Sequence, residues 1–207
     1  MLGGRIERKL KWNLAAFCCA LLLASCISGC TDRSGTSLPP QRIGEKGYSL
    51  LLPNEPGWVI VARDQYQLAL GKRGEGPDET FAIQSTLIQL PTFTSREDLT
   101  RYIKERQTKA SDLQRFTVMV FDIVPEQHRG IDCAKSYFVG EDRAAVKRTK
   151  RMGSMILEGL GLTCPHPKYE TIGVEVVYSH RYYPERKDPA FNEKAMRMMN
   201  SLEFEMP

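Results

Sequence analysis

The six cysteines are the residues of this chain with the widest range of possible chemistry, and they fall into two groups. Four of them crowd into an apolar N-terminal stretch, namely Cys18, Cys19, Cys26 and Cys30. Cys133 and Cys164 stand alone in the rest of the chain, where no C-x-x-C pair supplies the spacing of a zinc site. In an exported protein, two isolated cysteines are typical of one disulfide, which we expect between Cys133 and Cys164.

The segment Cys164-Pro165-His166-Pro167 contains a single thiol. Its beginning is similar to the C-x-x-C motif of thiol oxidoreductases, but Pro167 occupies the place of the second cysteine. Because no neighbouring thiol can release a mixed disulfide, redox catalysis is disfavoured. A structural bridge to Cys133 closes a loop of about 30 residues and contributes roughly 3–4 kcal/mol if its effect is chain entropy.

The three histidines, His128, His166 and His180, show no spacing that indicates a metal site. Metal-binding histidines on one element typically follow a short repeat such as H-x-x-x-H, which this sequence lacks. It also lacks a G-x-S-x-G or S-x-x-K motif and a phosphate-binding glycine loop, and its acidic residues are scattered. We therefore expect no metal, no cofactor and no catalytic residues, and we expect the histidines on the surface or in loops.

The formal net charge of +4 is concentrated ahead of the apolar stretch. Arg5, Arg8, Lys9 and Lys11 against Glu7 account for +3, which leaves +1 for the remainder. A domain so close to neutrality lacks the electrostatic footprint of a nucleic-acid-binding protein. Nucleic acid is therefore not an expected partner.

Two local clusters each admit two interpretations. Lys147-Arg148-Thr149-Lys150-Arg151 could contact anionic lipid headgroups, although a solvated hairpin tip is the favoured interpretation. The aromatic and basic cluster near the C-terminus could line a ligand groove, or its members could simply pack within a strand. It consists of Tyr178, Arg181, Tyr182 and Tyr183.

The first 13 residues carry net positive charge and precede an uncharged apolar run over residues 14–25, which is the layout of a secretory signal. Leu23-Ala24-Ser25-Cys26 resembles the lipobox of bacterial lipoproteins, in which small residues precede the cysteine that receives the lipid. Ile27-Ser28-Gly29-Cys30 resembles it as well. The resemblance implies an exported protein that a lipid holds in the bacterial cell envelope, facing the periplasm.

The lipidated residue is either Cys26, slightly favoured by Leu23, or Cys30, favoured by Gly29 and the polar run after it. An uncleaved signal anchor is the alternative, because about 20 apolar residues suffice to cross a bilayer. The predicted organisation is a signal peptide over residues 1–25 (or 1–29), a flexible tether over 26–42 and a single domain over 43–207.

Within that domain, alternation and turn residues predict many strands and two helices. Ser95 with Asp98 predicts the start of a helix that ends near Ala110. Asp188-Pro189 predicts an N-cap and first turn for a second helix, followed by a short strand over residues 203–205. The predicted strands cover residues 48–52, 58–62, 66–70, 80–90, 116–124, 132–139, 155–163 and 173–183.

These elements favour an α+β fold in which two main helices pack on an antiparallel β-sheet. The opening Tyr48-x-Leu50-x-Leu52-Pro53 with Gly57-Trp58, and the closing Phe191-x-x-x-Ala195 with Ser201-Leu202-x-Phe204, resemble the PsbP and Mog1-like α/β sandwich family. The resemblance covers only the two ends of the domain. It implies an α/β sandwich and a role in assembly, stability or adaptation, with no shared active site.

The leading hypothesis is therefore a membrane-tethered periplasmic lipoprotein that is not an enzyme and that binds a protein or another envelope component. One alternative is an envelope hydrolase in which His128 or His180 acts with a distant carboxylate. Another is a carrier of a small apolar ligand, which needs a deep apolar cavity.

Overall fold

The computed structural model describes residues 41–76, 78–110, 114–144 and 153–205. The two candidate lipidation residues, Cys26 and Cys30, and the basic segment over residues 147–151 lie outside these ranges. None of the helices that are described has the length and apolar character needed to span a bilayer.

Ten strands and two α-helices follow one another along the described chain. They are β1 (Arg42–Glu45), β2 (Tyr48–Leu51), β3 (Val59–Arg63), β4 (Gln67–Arg73), β5 (Thr80–Gln89), α1 (Arg96–Ala110), β6 (Phe116–His128), β7 (Ile131–Asp142), β8 (Met155–His166), β9 (Tyr169–Tyr182), α2 (Phe191–Asn200) and β10 (Glu203–Phe204). A single 3₁₀ turn, Pro184–Arg186, connects β9 to α2.

Seven of the strands form one antiparallel sheet in the order β3-β4-β5-β9-β8-β7-β6. The other three form a small antiparallel sheet in the order β1-β2-β10. Each strand from β6 to β9 pairs with the next one along the chain, and β9 pairs with β5 on its other side. The fold is an α+β sandwich, as the sequence predicts.

The two faces of the large sheet bury different elements. Leu99 and Ile103 of α1 pack with Ile88 and Ile123 on one face. On the other face, α2 and the small sheet cover a larger core, to which α2 contributes Phe191 among other residues. α1 begins as predicted, because the Ser95 hydroxyl accepts a hydrogen bond from the backbone N–H of Asp98 at 3.1 Å.

The expected disulfide forms between Cys133 on β7 and Cys164 on β8. These residues lie opposite each other, because they continue the register that pairs Ala134 with Thr163. Both cysteines are fully buried in the core beneath α2. The bridge therefore links two neighbouring inner strands of the large sheet.

Several element boundaries differ from the prediction. β4 continues through Arg73 instead of turning at Gly71, because Gly71, Lys72 and Arg73 pair with Phe81 and its neighbours in β5. The first strand, β1, was not predicted at all; it is four residues long and exists as the pairing partner of β2.

The start of α2 also differs from the prediction. The helix begins at Phe191, with Ala190 at the N-cap, so Asp188 and Pro189 precede the helix. Asp188 nevertheless acts locally, since its Oδ1 atom accepts a hydrogen bond from the Ala190 backbone N–H at 2.9 Å. The carboxylate also binds the Lys194 ammonium at 2.8 Å.

β6 was predicted to end before Pro125, but it runs through that residue to His128. Pro125 lies opposite Ala134 of β7. A proline is tolerated in an edge strand where its nitrogen faces away from the sheet, because no hydrogen bond of the ladder is then lost. β6 is such an edge strand.

Candidate functional site

All three histidines are buried, so the expectation that they lie on the surface or in loops was wrong. The Nε2 atom of His128 lies 2.8 Å from the carbonyl oxygen of Leu202. The Nε2 atom of His166 lies 2.8 Å from the carbonyl oxygen of Gly47. Both rings therefore join the large sheet to the segments around the small one, and they act as structural groups.

His180 on β9 is the most enclosed of the three, with none of its side chain exposed. Its ring stacks on Phe81 with 4.0 Å between centroids and on Tyr182 with 4.4 Å. Its Nε2 atom lies 2.9 Å from the Glu79 carboxylate. Burial lowers the pKa of His180, although the hydrogen bond to Glu79 opposes that shift.

The pairing of His180 with Glu79 bears on the hydrolase hypothesis. A histidine beside a carboxylate is the arrangement that a general base requires. However, the ring lies between Phe81 and Tyr182 with no exposed atom, and the carboxylate also accepts the Gly76 backbone N–H at 2.8 Å. These contacts give the pair a structural role, in which it fastens the β4–β5 loop to β9.

Glu158 on β8 is a second buried acid on the same face, and it lies directly opposite His180 in the sheet. Its carboxylate accepts hydrogen bonds from the hydroxyls of Tyr137 and Tyr182 and lies 3.3 Å from the Lys187 ammonium. Burial and the adjacent carboxylate raise the pKa of Tyr137 to about 12. Burial likewise raises the pKa of Tyr182, so both tyrosines stay protonated and their hydroxyls donate to the Glu158 carboxylate.

The aromatic and basic cluster near the C-terminus follows the strand-packing interpretation. Tyr178 and Tyr182 point to the α2 side of the sheet, where Tyr178 contacts Trp58 and Phe191. Arg181 is buried and lies 4.0 Å from the Asp142 carboxylate. All four residues of the cluster are almost fully buried, so they line no open groove.

Among the described residues, no group of three or more His, Cys, Asp or Glu side chains is arranged to hold a metal ion. The buried polar side chains described above mostly bind one another or the backbone. We therefore expect a binding site on the exposed surface.

The outer edge of β6 carries the most concentrated exposed apolar surface that the structure describes. Five residues form what we call the β6 surface: Val118, Met119, Val120, Asp122 and Val124. Met119 is 61% exposed, and the three valines are between 37% and 41% exposed. Exposed apolar side chains along an unpaired strand edge are a common feature of protein-binding sites.

The position of β6 explains why none of the described elements covers this surface. β6 is the last strand of the large sheet, and α2 packs chiefly on β8 and β9, two strands further in. α1 covers the face of β6 opposite to Val120, Asp122 and Val124, where Ile123 is buried. The sequence contains a signal for this surface, because the apolar run over residues 118–121 breaks the alternation of apolar and polar residues expected of a strand. The structure places a β-bulge at the same point, between Val118 and Val120.

Comparisons with known proteins show similarity at the level of structure only. The chain is similar to the solution structure of cyanobacterial PsbP from Synechocystis, with 14% identity and a TM-score of 0.49, over 86% of this chain and 98% of that one. It is also similar to the Ran-binding protein Mog1p of Saccharomyces cerevisiae, with 13% identity and a TM-score of 0.41, over 81% of this chain and 96% of that one. No family model and no curated protein matches the sequence. At these sequence identities and TM-scores, the similarity concerns the general fold alone.

Proposed function

We propose that the protein is an exported, lipid-anchored domain of the bacterial cell envelope that binds another protein through the β6 surface and catalyses no reaction. The observation that carries the proposal is the exposure of Met119 and its neighbouring valines along a strand edge with which no described strand pairs. Burying such side chains against a partner contributes about 25 cal/mol for each Å² of apolar surface removed from water.

The N-terminal segment supports the location. A basic region, an apolar run and a lipobox at Cys26 or Cys30 are the features of a lipoprotein signal. A lipid on either cysteine, followed by a tether rich in Ser, Gly, Thr and Pro, holds the domain close to a membrane while it binds its partner.

Site-specific photo-crosslinking in the cells that make the protein tests the proposal. A photoreactive amino acid in place of Val118 is expected to capture a discrete partner. The same amino acid in place of Tyr66, which is 51% exposed in the turn before β4, is the matched control and is expected to capture none. Equal capture from both positions contradicts the proposal, and so does the absence of capture from both Val118 and Met119.

A further inference from the structure

The disulfide reveals which backbone groups of β6 point outward. The Cα atoms of Cys133 and Cys164 are 4.4 Å apart. Directly opposed residues in antiparallel strands are about 4.5 Å apart when they exchange no hydrogen bonds and about 5.5 Å apart when they do. The backbone N–H and C=O of Cys133 therefore point away from β8 and towards β6, where its partner is Glu126.

Along β6, the backbone N–H and C=O groups of successive residues point alternately towards β7 and outward. Because Glu126 exchanges hydrogen bonds with Cys133, the neighbouring Pro125 points its backbone nitrogen outward. The backbone groups of Ile123 and Phe121 point outward as well, since they lie two and four residues further along. Pro125 closes this open ladder at one end, because it has no N–H, and the bulge between Val118 and Val120 closes it at the other.

The side chains beside this open ladder have a distinctive pattern. Val120, Asp122 and Val124 alternate with Phe121 and Ile123, so they share the face that carries Tyr137 of β7. Asp122 is exposed and forms no salt bridge with any residue in the described ranges. A strand added at this edge therefore meets an apolar, an acidic and an apolar side chain in succession.

A second copy of this chain fits the edge poorly. A two-fold register centred on Asp122 places the two Asp122 carboxylates opposite each other, and like charges in that position are destabilising. A register centred on Phe121 places Ile123 opposite Met119 within the bulge. A register centred on Ile123 places Phe121 opposite Pro125, which has no N–H to donate. Registers centred on Val120 or Val124 fail for the same reasons, since they pair an outward residue with the bulge or with Pro125.

We propose that β6 is extended by a strand from a different protein, and that this segment carries a basic residue between two apolar residues on one face. Outward N–H and C=O groups of Phe121 and Ile123 bind the main chain of the segment. Its basic side chain lies opposite Asp122, and its apolar side chains lie opposite Val120 and Val124. Main-chain bonds of this kind give affinity, and alternate side chains give specificity. The proposal rests on the proposed function and names the class of partner.

The test uses the full-length chain in the cells that make it, with a photoreactive amino acid in place of Met119. Capture is compared among the unchanged edge, Asp122→Glu, Asp122→Lys and the control Glu105→Lys, which makes the same charge reversal at an exposed position of α1. The captured segment is sequenced by mass spectrometry. Thermal unfolding of each purified variant confirms that it folds.

Asp122→Lys is expected to reduce capture by roughly 2- to 30-fold, because an attractive cross-strand pair becomes repulsive. Asp122→Glu and Glu105→Lys are expected to leave capture unchanged, and the captured segment is expected to contain the apolar-basic-apolar pattern. Capture that Asp122→Lys leaves intact, a segment without that pattern, or a crosslinked dimer of this chain overturns the proposal but leaves binding at the β6 surface in place. Absence of capture from both Met119 and Val118 overturns the proposed function and this proposal together.

Discussion

His180 is the residue whose surroundings link local chemistry most directly to stability. Burial lowers the pKa of this histidine in the folded protein, whereas in the unfolded chain it returns to about 6.5. Below that pH the unfolded chain binds a proton that the folded protein resists. Stability therefore rises with pH across this range, and it is lost as the pH falls through the unfolded-state pKa towards the lower folded-state value.

We expect the midpoint of thermal unfolding to fall as the pH is lowered from 7.5 to 5, and to fall less steeply for His180→Phe. The phenyl ring keeps the stacking on Phe81 and Tyr182 but takes up no proton. Calorimetry of both proteins across that range measures the two slopes, and an NMR titration of the His180 imidazole checks the assignment. Parallel slopes would mean that His180 does not carry the pH dependence.

The Cys133–Cys164 bridge is the second residue-scale feature with a measurable effect. Replacing both cysteines by alanine is expected to lower the free energy of unfolding by roughly 3–4 kcal/mol, since the bridge closes a loop of intermediate length. Urea denaturation of the two proteins measures the difference. The oxidised wild type, reduced under denaturing conditions and then refolded with a thiol present, should show a similar loss. A loss below about 1 kcal/mol contradicts the expectation.

The disulfide could be predicted from the sequence, because only two cysteines follow the apolar N-terminal stretch and the expected export would place them where thiols are oxidised. The burial of the histidines could not. His128 binds the Leu202 carbonyl oxygen 74 residues away, and His166 binds the Gly47 carbonyl oxygen 119 residues away. No local pattern encodes contacts between segments that the fold alone brings together.

At the scale of the element, Pro125 has a protective role in β6. Edge strands invite uncontrolled pairing with other chains, and a proline at an outward position blocks that pairing without removing a hydrogen bond to the neighbouring strand. Because its nitrogen faces outward, Pro125 does this on the open side of β6 while the ladder with β7 continues through Ala134.

Pro125→Thr restores an outward N–H and lengthens the open ladder. We expect the variant to fold normally and to self-associate at concentrations where the wild type stays monomeric. Light scattering and sedimentation measure association, and circular dichroism monitors the fold. Ile60→Thr, at the opposite edge of the sheet on β3, is the control and should not promote association. A monomeric Pro125→Thr variant would argue against an outward-facing position.

Elements with strong local signals were predicted well, and elements defined by pairing were not. α1 was predicted because Ser95 and Asp98 start it, and β9 because it is rich in the β-branched and aromatic residues that favour strands. β1 is only four residues long and was missed, since its identity depends on β2. β6 was predicted as a strand, but its position at the edge follows from a sheet order that no single segment specifies.

At the scale of the whole molecule, a disulfide-bonded sandwich follows an N-terminal segment for which we propose a role in location. The disulfide and the buried groups around Glu158 and His180 fasten the central strands β7, β8 and β9. The candidate binding edge lies one strand further out, at β6. A partner can therefore add to the edge without disturbing the core, and a lipid anchor can fix the domain's location independently of its fold.

That independence leads to a prediction about the anchor. We expect the mature protein to be lipidated on one of the two candidate cysteines, so that one of Cys26→Ser and Cys30→Ser releases the domain from the membrane fraction and the other does not. Several acyl chains hold a protein firmly because each buried methylene contributes about 0.8 kcal/mol. Intact mass spectrometry of the purified proteins reports the processed N-terminus, the acyl chains and the Cys133–Cys164 bridge together. Release should leave the unfolding midpoint unchanged, because the described core of the sandwich is built from residues 43–202. Membrane association and an unprocessed N-terminus in both variants would instead indicate an uncleaved signal anchor.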